Sequence, residues 1–255
     1  MPRPRGQRVV GPQITLSEAN GVRYLHFGTE WVQGAMRLAR PYALVLEYQQ
    51  QMMAPLLFLP RPRRILQLGL GAAALAKFCW RALPRAHVTA VEISDAVVTV
   101  ARRWFRLPTD DRLQVVVADA REFLTTAGRT FAADWLQVDL YDAAARGPVY
   151  DDVAFYRACR AALAERGVAA INLFGSRFDC SFDAIARAFD GRVLALAEAD
   201  AGNRVVLAFT GPRRVIRYEA LDARARALQG DFGLPARRWI GGLRAGADGD
   251  AMVRI

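Results

Sequence analysis

The stretch DWLQVDLYDAAARGP ends an apolar run in two carboxylates, Asp139 and Asp142, on either side of an aromatic ring, Tyr141. Two carboxylates beside an aromatic face suit a cationic amine: they hold ammonium groups electrostatically, and one can accept a proton from an attacking nitrogen. An alkyl amine is protonated at neutral pH, so a catalytic role for it as a nucleophile needs such help. On the residues alone, Asp142 also suits a turn or cap, and Asp139 a polar strand end.

Three further strand ends carry polar or glycine signals. RILQLGLGAAALAKF runs from an apolar strand through Gly69-Leu70-Gly71 into an alanine-rich helix. Such a turn lets backbone approach a ligand while the helix start offers N–H groups. The third glycine of the dinucleotide fingerprint is missing, so the turn alone is weak evidence. VTAVEIS ends in Glu92, about twenty residues on, where a carboxylate can accept from both hydroxyls of a ribose. VVVADA ends in Asp119 beside the small Ala120, where an adenine amino group can be received; cap or surface roles stay open for both carboxylates. Ligands of open α/β sheets bind at the carboxyl ends of strands, so these features together predict one adenosine-binding site.

The elements that must hold these residues alternate. From Arg64 to about residue 212 the pattern reads strand, helix, strand repeatedly, with near-continuous apolar strands, which predicts a mostly parallel sheet covered by helices on both faces, an α/β fold. The helix DDVAFYRACRAALAERG is expected before the strand VAAINLFG, and an antiparallel pair around Gly202-Asn203 is expected at the sheet edge. Upstream, QITLSEANGVRYLHFG reads as a hairpin about Asn20-Gly21, followed by a helical segment within residues 31–59. The expected organisation is a basic flexible tail (1–12), a hairpin domain with its connecting helix (13–60), a nucleoside-binding domain (61–212) and a C-terminal extension (213–255), helix-capable at YEALDARARALQ.

Composition narrows the function classes. The 255 residues are 53% hydrophobic, enough for a well-buried core. The net charge of +10 comes from scattered residues, with one lysine, Lys77, among 35 basic side chains, so a solvated basic surface is favoured over a nucleic-acid site. Cys79, Cys159 and Cys180 are widely spaced, and His26 and His87 stand apart, so neither disulfides nor a metal site is expected. Without an apolar leader or a long apolar run, the chain reads as cytoplasmic with no membrane role.

The order and spacing of these pieces resemble the spermidine synthases, the polyamine aminopropyltransferases, over about residues 22 to 210. The likeness lies in Val32-Gln33, EYQQQMMAPLLFLPRPRRILQLGLG, VEIS, ADA, DLYD with the following Gly147-Pro148, and FYRACRAAL. A shorter bacterial group, the spermidine synthase-like proteins, is more similar still at HFGTEWVQGAMRL and GLGAAALAKFCWRALP. The resemblance implies a Rossmann-like, methyltransferase-type sheet with a small N-terminal β-hairpin domain, usually in a homodimer, transferring an aminopropyl group from decarboxylated S-adenosylmethionine to an amine. It implies Glu92 at the ribose, Asp119 and Ala120 at the adenine, Gly69 and Gly71 at the donor, Gln33 near the nucleoside or its thioether, and Asp139 with Asp142 on the amines, Asp142 taking the proton. Two departures bear on substrates. Ala72 stands where the family carries an Asp that grips the donor's amino end, which leaves intact S-adenosylmethionine and a methyltransferase open as a second reading, and a non-catalytic adenosine-binding homologue as a third. The tyrosine- and proline-rich acceptor loop is replaced by AEADAGNRVV, which leaves the acceptor amine open.

Overall fold

The computed structural model describes residues 8–11, 14–142, 148–245 and 252–255. The tail expected through residue 12 gives way to a strand: β1 (Arg8–Gly11) pairs antiparallel with β2 (Ile14–Ala19). β2 turns through Asn20-Gly21, both left-handed at φ 51° and 72°, into β3 (Val22–His26); Asn and Gly are the residues that tolerate this backbone. β4 (Gly34–Arg37) pairs with β3, so the expected hairpin is a four-stranded sheet. The helical segment expected after it is short. α1 covers Glu47–Gln51, and a 3-10 turn follows at Ala54–Leu57. Pro55 lacks the N–H that a continuing α-helix would need, and the chain instead buries Met52, Met53, Leu56 and Leu57 in the core.

The main sheet is then laid down by β5 (Arg64–Leu68), α2 (Ala74–Ala82), β6 (His87–Glu92), α3 (Asp95–Phe105), β7 (Leu113–Val117), α4 (Ala120–Thr125), β8 (Ala133–Val138), α5 (Val153–Ala161), β9 (Leu163–Phe174), α6 (Phe178–Ala188), β10 (Val193–Ala195) and β11 (Asn203–Phe209). Its order is β10-β11-β9-β8-β5-β6-β7. Strands β9, β8, β5, β6 and β7 run parallel; β11 and β10 complete the edge antiparallel. Strand order reverses between β5 and β8, and in open α/β sheets the crevice above that reversal binds ligands. The N-terminal sheet packs Leu16, Leu25 and Met36 against Val97, Val100 and Phe105 of α3, which places its loops beside the crevice.

The helix expected to reach Gly167 ends at Ala161, and β9 starts at Leu163 with a register shift against β8 between Ala133 and Trp135. Close packing accompanies the shift: a Cβ on Gly167 would lie 2.9 Å from Leu163 and 3.0 Å from the Ala133 carbonyl oxygen. Past the main sheet, β12 (Val215–Arg217) pairs with β13 (Met252–Arg254), and α7 (Tyr218–Phe232) and α8 (Ala236–Ala245) lie between them in sequence. This Arg-rich extension is amphipathic. Leu221, Trp239, Ile240 and Val253 are buried in the same apolar cluster as Phe58 and Ile65, and burial of each of the three aliphatic side chains is worth about 1.5–3 kcal/mol. Arg224 donates to the Leu57 carbonyl at 2.7 Å. Among the described residues no helix is long and apolar enough to cross a membrane.

Candidate active site

The glycine turn after β5 joins two strand ends. Gly69 has φ 86° and donates its N–H to the Val91 carbonyl at 2.8 Å. A Cβ there would overlap the Asp139 carbonyl oxygen, so glycine lets the end of β8 lie directly against the turn. The Asp139 N–H donates to the Leu68 carbonyl at 3.0 Å, completing the junction. Gly71 is also left-handed, at φ 52°. At the end of β6, Glu92 accepts the Leu70 N–H at 2.9 Å and the Ser94 N–H at 3.0 Å, one on each carboxylate oxygen. It is 9% exposed, and each oxygen keeps lone-pair capacity toward the cavity it lines.

Asp119 caps α4, accepting the N–H groups of Arg121 at 2.8 Å and Glu122 at 3.0 Å on one oxygen. The other oxygen accepts the Tyr150 hydroxyl. Partial burial pushes its carboxyl up, but the Tyr150 hydroxyl, the two backbone donors and the Arg121 charge outweigh this and hold it below the ordinary value. The cap role and the position at the strand end are thus both real. Arg121 stacks over the Tyr150 ring at 4.5 Å and pairs with Asp152, the cap of α5. Ala120, buried, leaves the wall beside Asp119 flat.

Asp139 is the centre of a polar network that sequence reasoning missed. One carboxylate oxygen accepts Asn172 Nδ2 at 2.9 Å and the other accepts the Tyr48 hydroxyl at 3.4 Å. Asn172 in turn accepts Asn203 Nδ2 at 3.0 Å, and Gln49 Nε2 approaches the Tyr48 hydroxyl at 3.4 Å. Burial raises the Asp139 pKa above the ordinary carboxylate value, while the Asn172 and Tyr48 bonds pull it back. Burial and the Asp139 charge together push the Tyr48 phenol well up, so it stays a donor. Tyr141 donates its hydroxyl to the Asn172 carbonyl at 2.8 Å, which anchors the ring and commits its polar end to backbone. Asn172 was legible as a lone amide in an apolar strand; Tyr48 gave no such signal.

Gln33 reaches across from the N-terminal sheet and donates to the Asp142 carbonyl at 3.2 Å. Its loop is held by His26, whose Nδ1 lies 3.1 Å from the Trp31 carbonyl and whose Nε2 lies 2.8 Å from the Ser17 hydroxyl. A carbonyl requires an N–H at Nδ1, and in that neutral tautomer Nε2 accepts from Ser17. Ala72 is 2% exposed in the apolar contact with the N-terminal sheet, and a Cβ on Gly34 would stand 2.5 Å from its own. No charge enters the cavity at that position.

Gln33, Gly69, Gly71, Glu92, Asp119, Ala120, Asp139, Tyr141 and Asp142 all line one cavity of about 1130 Å³. Gly147, the other residue singled out near Asp142, lies outside the described residues. The volume exceeds the roughly 300–1,000 Å³ of ordinary small-molecule pockets, which leaves room for two ligands. Its charge is one-sided. Among the described lining residues every charged side chain is a carboxylate, Glu30, Glu47, Glu92, Asp119, Asp139, Asp142 or Asp200, with no Arg, Lys or His, in a chain of net charge +10. Such a cavity attracts cations and opposes anionic groups.

Comparison with known proteins agrees with this geometry. The chain is 35% identical to a polyamine aminopropyltransferase of Chromobacterium violaceum over 237 residues, 91% of this chain and 90% of that one. Among solved structures it resembles a probable spermidine synthase from Corynebacterium glutamicum, with TM-score 0.70, 21% identity and full coverage of both chains. It also resembles human methyltransferase-like protein 13 in complex with SAH, with TM-score 0.66 and 21% identity over 74% of this chain and 93% of that one. These two structural likenesses establish the methyltransferase-type fold. No family model matches the chain.

Proposed function

The chain belongs to the polyamine aminopropyltransferase family, and on that premise we propose that its cavity transfers an aminopropyl group from decarboxylated S-adenosylmethionine to a cationic amine. The observation that carries this reading is that every charged side chain among the described lining residues is a carboxylate, in a cavity large enough for donor and acceptor together. It also bears on the question left by Ala72. Intact S-adenosylmethionine brings a carboxylate for which the described lining residues offer no cationic partner, whereas the charges of the decarboxylated donor are cationic only. The likeness to a methyltransferase is one of fold and supplies no competing site observation.

In this reading Glu92 accepts from the ribose, Asp119 with Ala120 bounds the adenine, and Gly69 and Gly71 let backbone approach the nucleoside. Gln33 orders the Asp142 segment over the donor. Asp139, whose charged form the Asn172 and Tyr48 hydrogen bonds favour against the effect of burial, orients the attacking amine, and the Tyr141 ring packs beside it. The amine lone pair forms a bond to the carbon next to the sulfonium. The carbon–sulfur bond breaks, its electron pair staying on sulfur as a neutral thioether. The amine lone pair is freed when the bound ammonium gives one proton to Asp142, partly exposed at the cavity edge, and from there to water; the product nitrogen remains a secondary ammonium.

A homodimer and a cytoplasmic location belong to the same reading. The half-exposed Trp31, Val32 and Leu38 of the N-terminal sheet and its loop support the first, and three unpaired cysteines the second. The test of function is incubation of the protein with decarboxylated S-adenosylmethionine and putrescine, followed by mass detection of the aminopropylated amine. Product that disappears in Asp142→Asn is expected; no product from protein that binds both substrates would refute it.

A further inference from the structure

The cavity carboxylates stand where the parallel strands end, and the starts of the same strands carry the opposite charge. The register sets Ile65 of β5, Trp135 of β8, Val168 of β9 and Phe209 of β11 side by side. Within four residues of this row, on its side away from the cavity, stand Arg63 and Arg64 at the start of β5, Arg166 in β9, and Arg213 past the end of the antiparallel β11. A parallel sheet starts all its strands at one edge, so arginines scattered along the chain are gathered by the fold. At about 4.8 Å between strands, β5 to β11 spans about 14 Å.

Two Pro-Arg-Arg segments, 62–64 and 212–214, flank Arg166, each with a backbone stiffened by proline. The second leaves the sheet directly against Arg166. Gly211 has φ 87°, and a Cβ there would stand 2.6 Å from the Glu165 carbonyl oxygen and 3.3 Å from Arg166 Cγ. The first is fixed by Asp134, one oxygen of which accepts the backbone N–H groups of Arg63 at 2.7 Å and Arg64 at 2.9 Å. Those bonds hold the backbone and leave both side chains exposed, as are Arg166 and Arg213.

The charges at this edge are not neutralised. Arg112, Arg160 and Arg192 pair with Asp110 or Asp190, whereas Arg63, Arg64, Arg166, Arg213 and Arg214 have no ion-pair partner among the described residues. Arg214 is half-buried, and burial together with the Arg166 and Arg224 charges lowers its pKa. Asp134 and Glu165 are the carboxylates within these strand starts, and Asp134 is engaged with backbone. Guanidinium groups held together without counter-charge form an anion site, and their planar forks match phosphate oxygens. Leu221 of α7 and Trp239 and Ile240 of α8 are buried in the core, so neither helix turns these apolar side chains toward a bilayer. A single row suits consecutive phosphates of one strand better than the two phosphate lines of a duplex.

We propose that this edge docks a single-stranded nucleic acid through its phosphates, at the end of the sheet opposite the cavity, which stays open while the strand is bound. The experiment follows a labelled oligouridylate of about 16 nucleotides by fluorescence anisotropy over a range of salt concentrations, with the full-length protein. A triple variant, Arg63→Gln with Arg166→Gln and Arg213→Gln, is compared with a control triple that removes the same charge elsewhere, Arg37→Gln with Arg157→Gln and Arg177→Gln, all exposed. The first triple should weaken binding at least about tenfold and lower the slope of log K against log salt by about two, at about 0.7 for each lost phosphate contact. The control triple should stay within about twofold of wild type in binding. Arg63→Gln and Arg213→Gln singly should each lower the slope by about 0.7, which keeps the test decisive if the triple does not fold. Equal losses in both triples would mean general attraction by a chain of net charge +10 and would overturn the proposal. So would wild-type protein that ignores the oligonucleotide, including one that instead binds phosphatidylglycerol vesicles.

Discussion

Replacing Asn172 with leucine tests whether the network around Asp139 sets its ionisation. The Asn172 amide donates to Asp139 at 2.9 Å and accepts from Asn203 at 3.0 Å, and the residue is 2% exposed. A hydrogen bond to a charged group is worth about 1.5–3 kcal/mol, and one pKa unit corresponds to about 1.4 kcal/mol. Leucine fills the volume, keeps water out and leaves Tyr48 as the remaining donor. The Asp139 pKa, already raised by burial, should then rise further. Because the carboxylate must be ionised to hold the amine, the acid limb of kcat/KM for the amine should move to higher pH. Leaving Asn203 Nδ2 without its acceptor should also cost about 1–3 kcal/mol of stability, read by urea unfolding. An acid limb that stays in place, or moves to lower pH, in folded protein would refute the argument.

Three other perturbations separate stability from chemistry. In Asp139→Asn, transfer should fall by at least about a hundredfold while the melting temperature at neutral pH holds or rises. The folded-state pKa of Asp139 is raised, so stability falls as pH climbs from the ordinary carboxylate value through the folded one, and the amide removes that loss; a large drop in melting temperature would contradict it. Gly69→Ala should lose activity and stability together, the left-handed backbone alone costing about 1–2 kcal/mol, because the new Cβ overlaps the Asp139 carbonyl; near-normal turnover would be the contrary result. Lys77, buried and donating to the Phe105 carbonyl at 2.6 Å, is pushed down to about 7 by burial and by Arg106. The unfolded chain keeps that proton to about pH 10, so stability should rise with pH between these values, and Lys77→Met should flatten the rise. Equal pH slopes in urea unfolding of both proteins would exclude this.

The parallel sheet and the carboxyl-end positions of Gly69, Glu92, Asp119 and Asp139 were legible because buried strands are apolar until they end, and the polar residue at each end stands out. Asp119 shows the limit of that signal, since its cap role and its cavity position look alike in sequence. Tyr48 lies 91 positions from Asp139 and Glu47 lies 153 from Asp200, so neither contact leaves a local pattern. The helix before β5 was overread because apolar spacing there serves a buried turn around Pro55. β4 was missed because GAMR is too short to alternate. Ala72 left the donor open in sequence; its burial against Gly34, with the charge of the whole cavity, bears on that choice in a way no single substitution could.

Donor discrimination tests the central claim most directly. Calorimetric titration of the purified protein with decarboxylated and with intact S-adenosylmethionine compares two ligands that differ by one carboxylate. A cavity whose described charges are all negative should bind the decarboxylated form at least about tenfold more tightly, equal to about 1.4 kcal/mol. Equal binding, or tighter binding of the intact form, would contradict aminopropyl transfer as the function of this site.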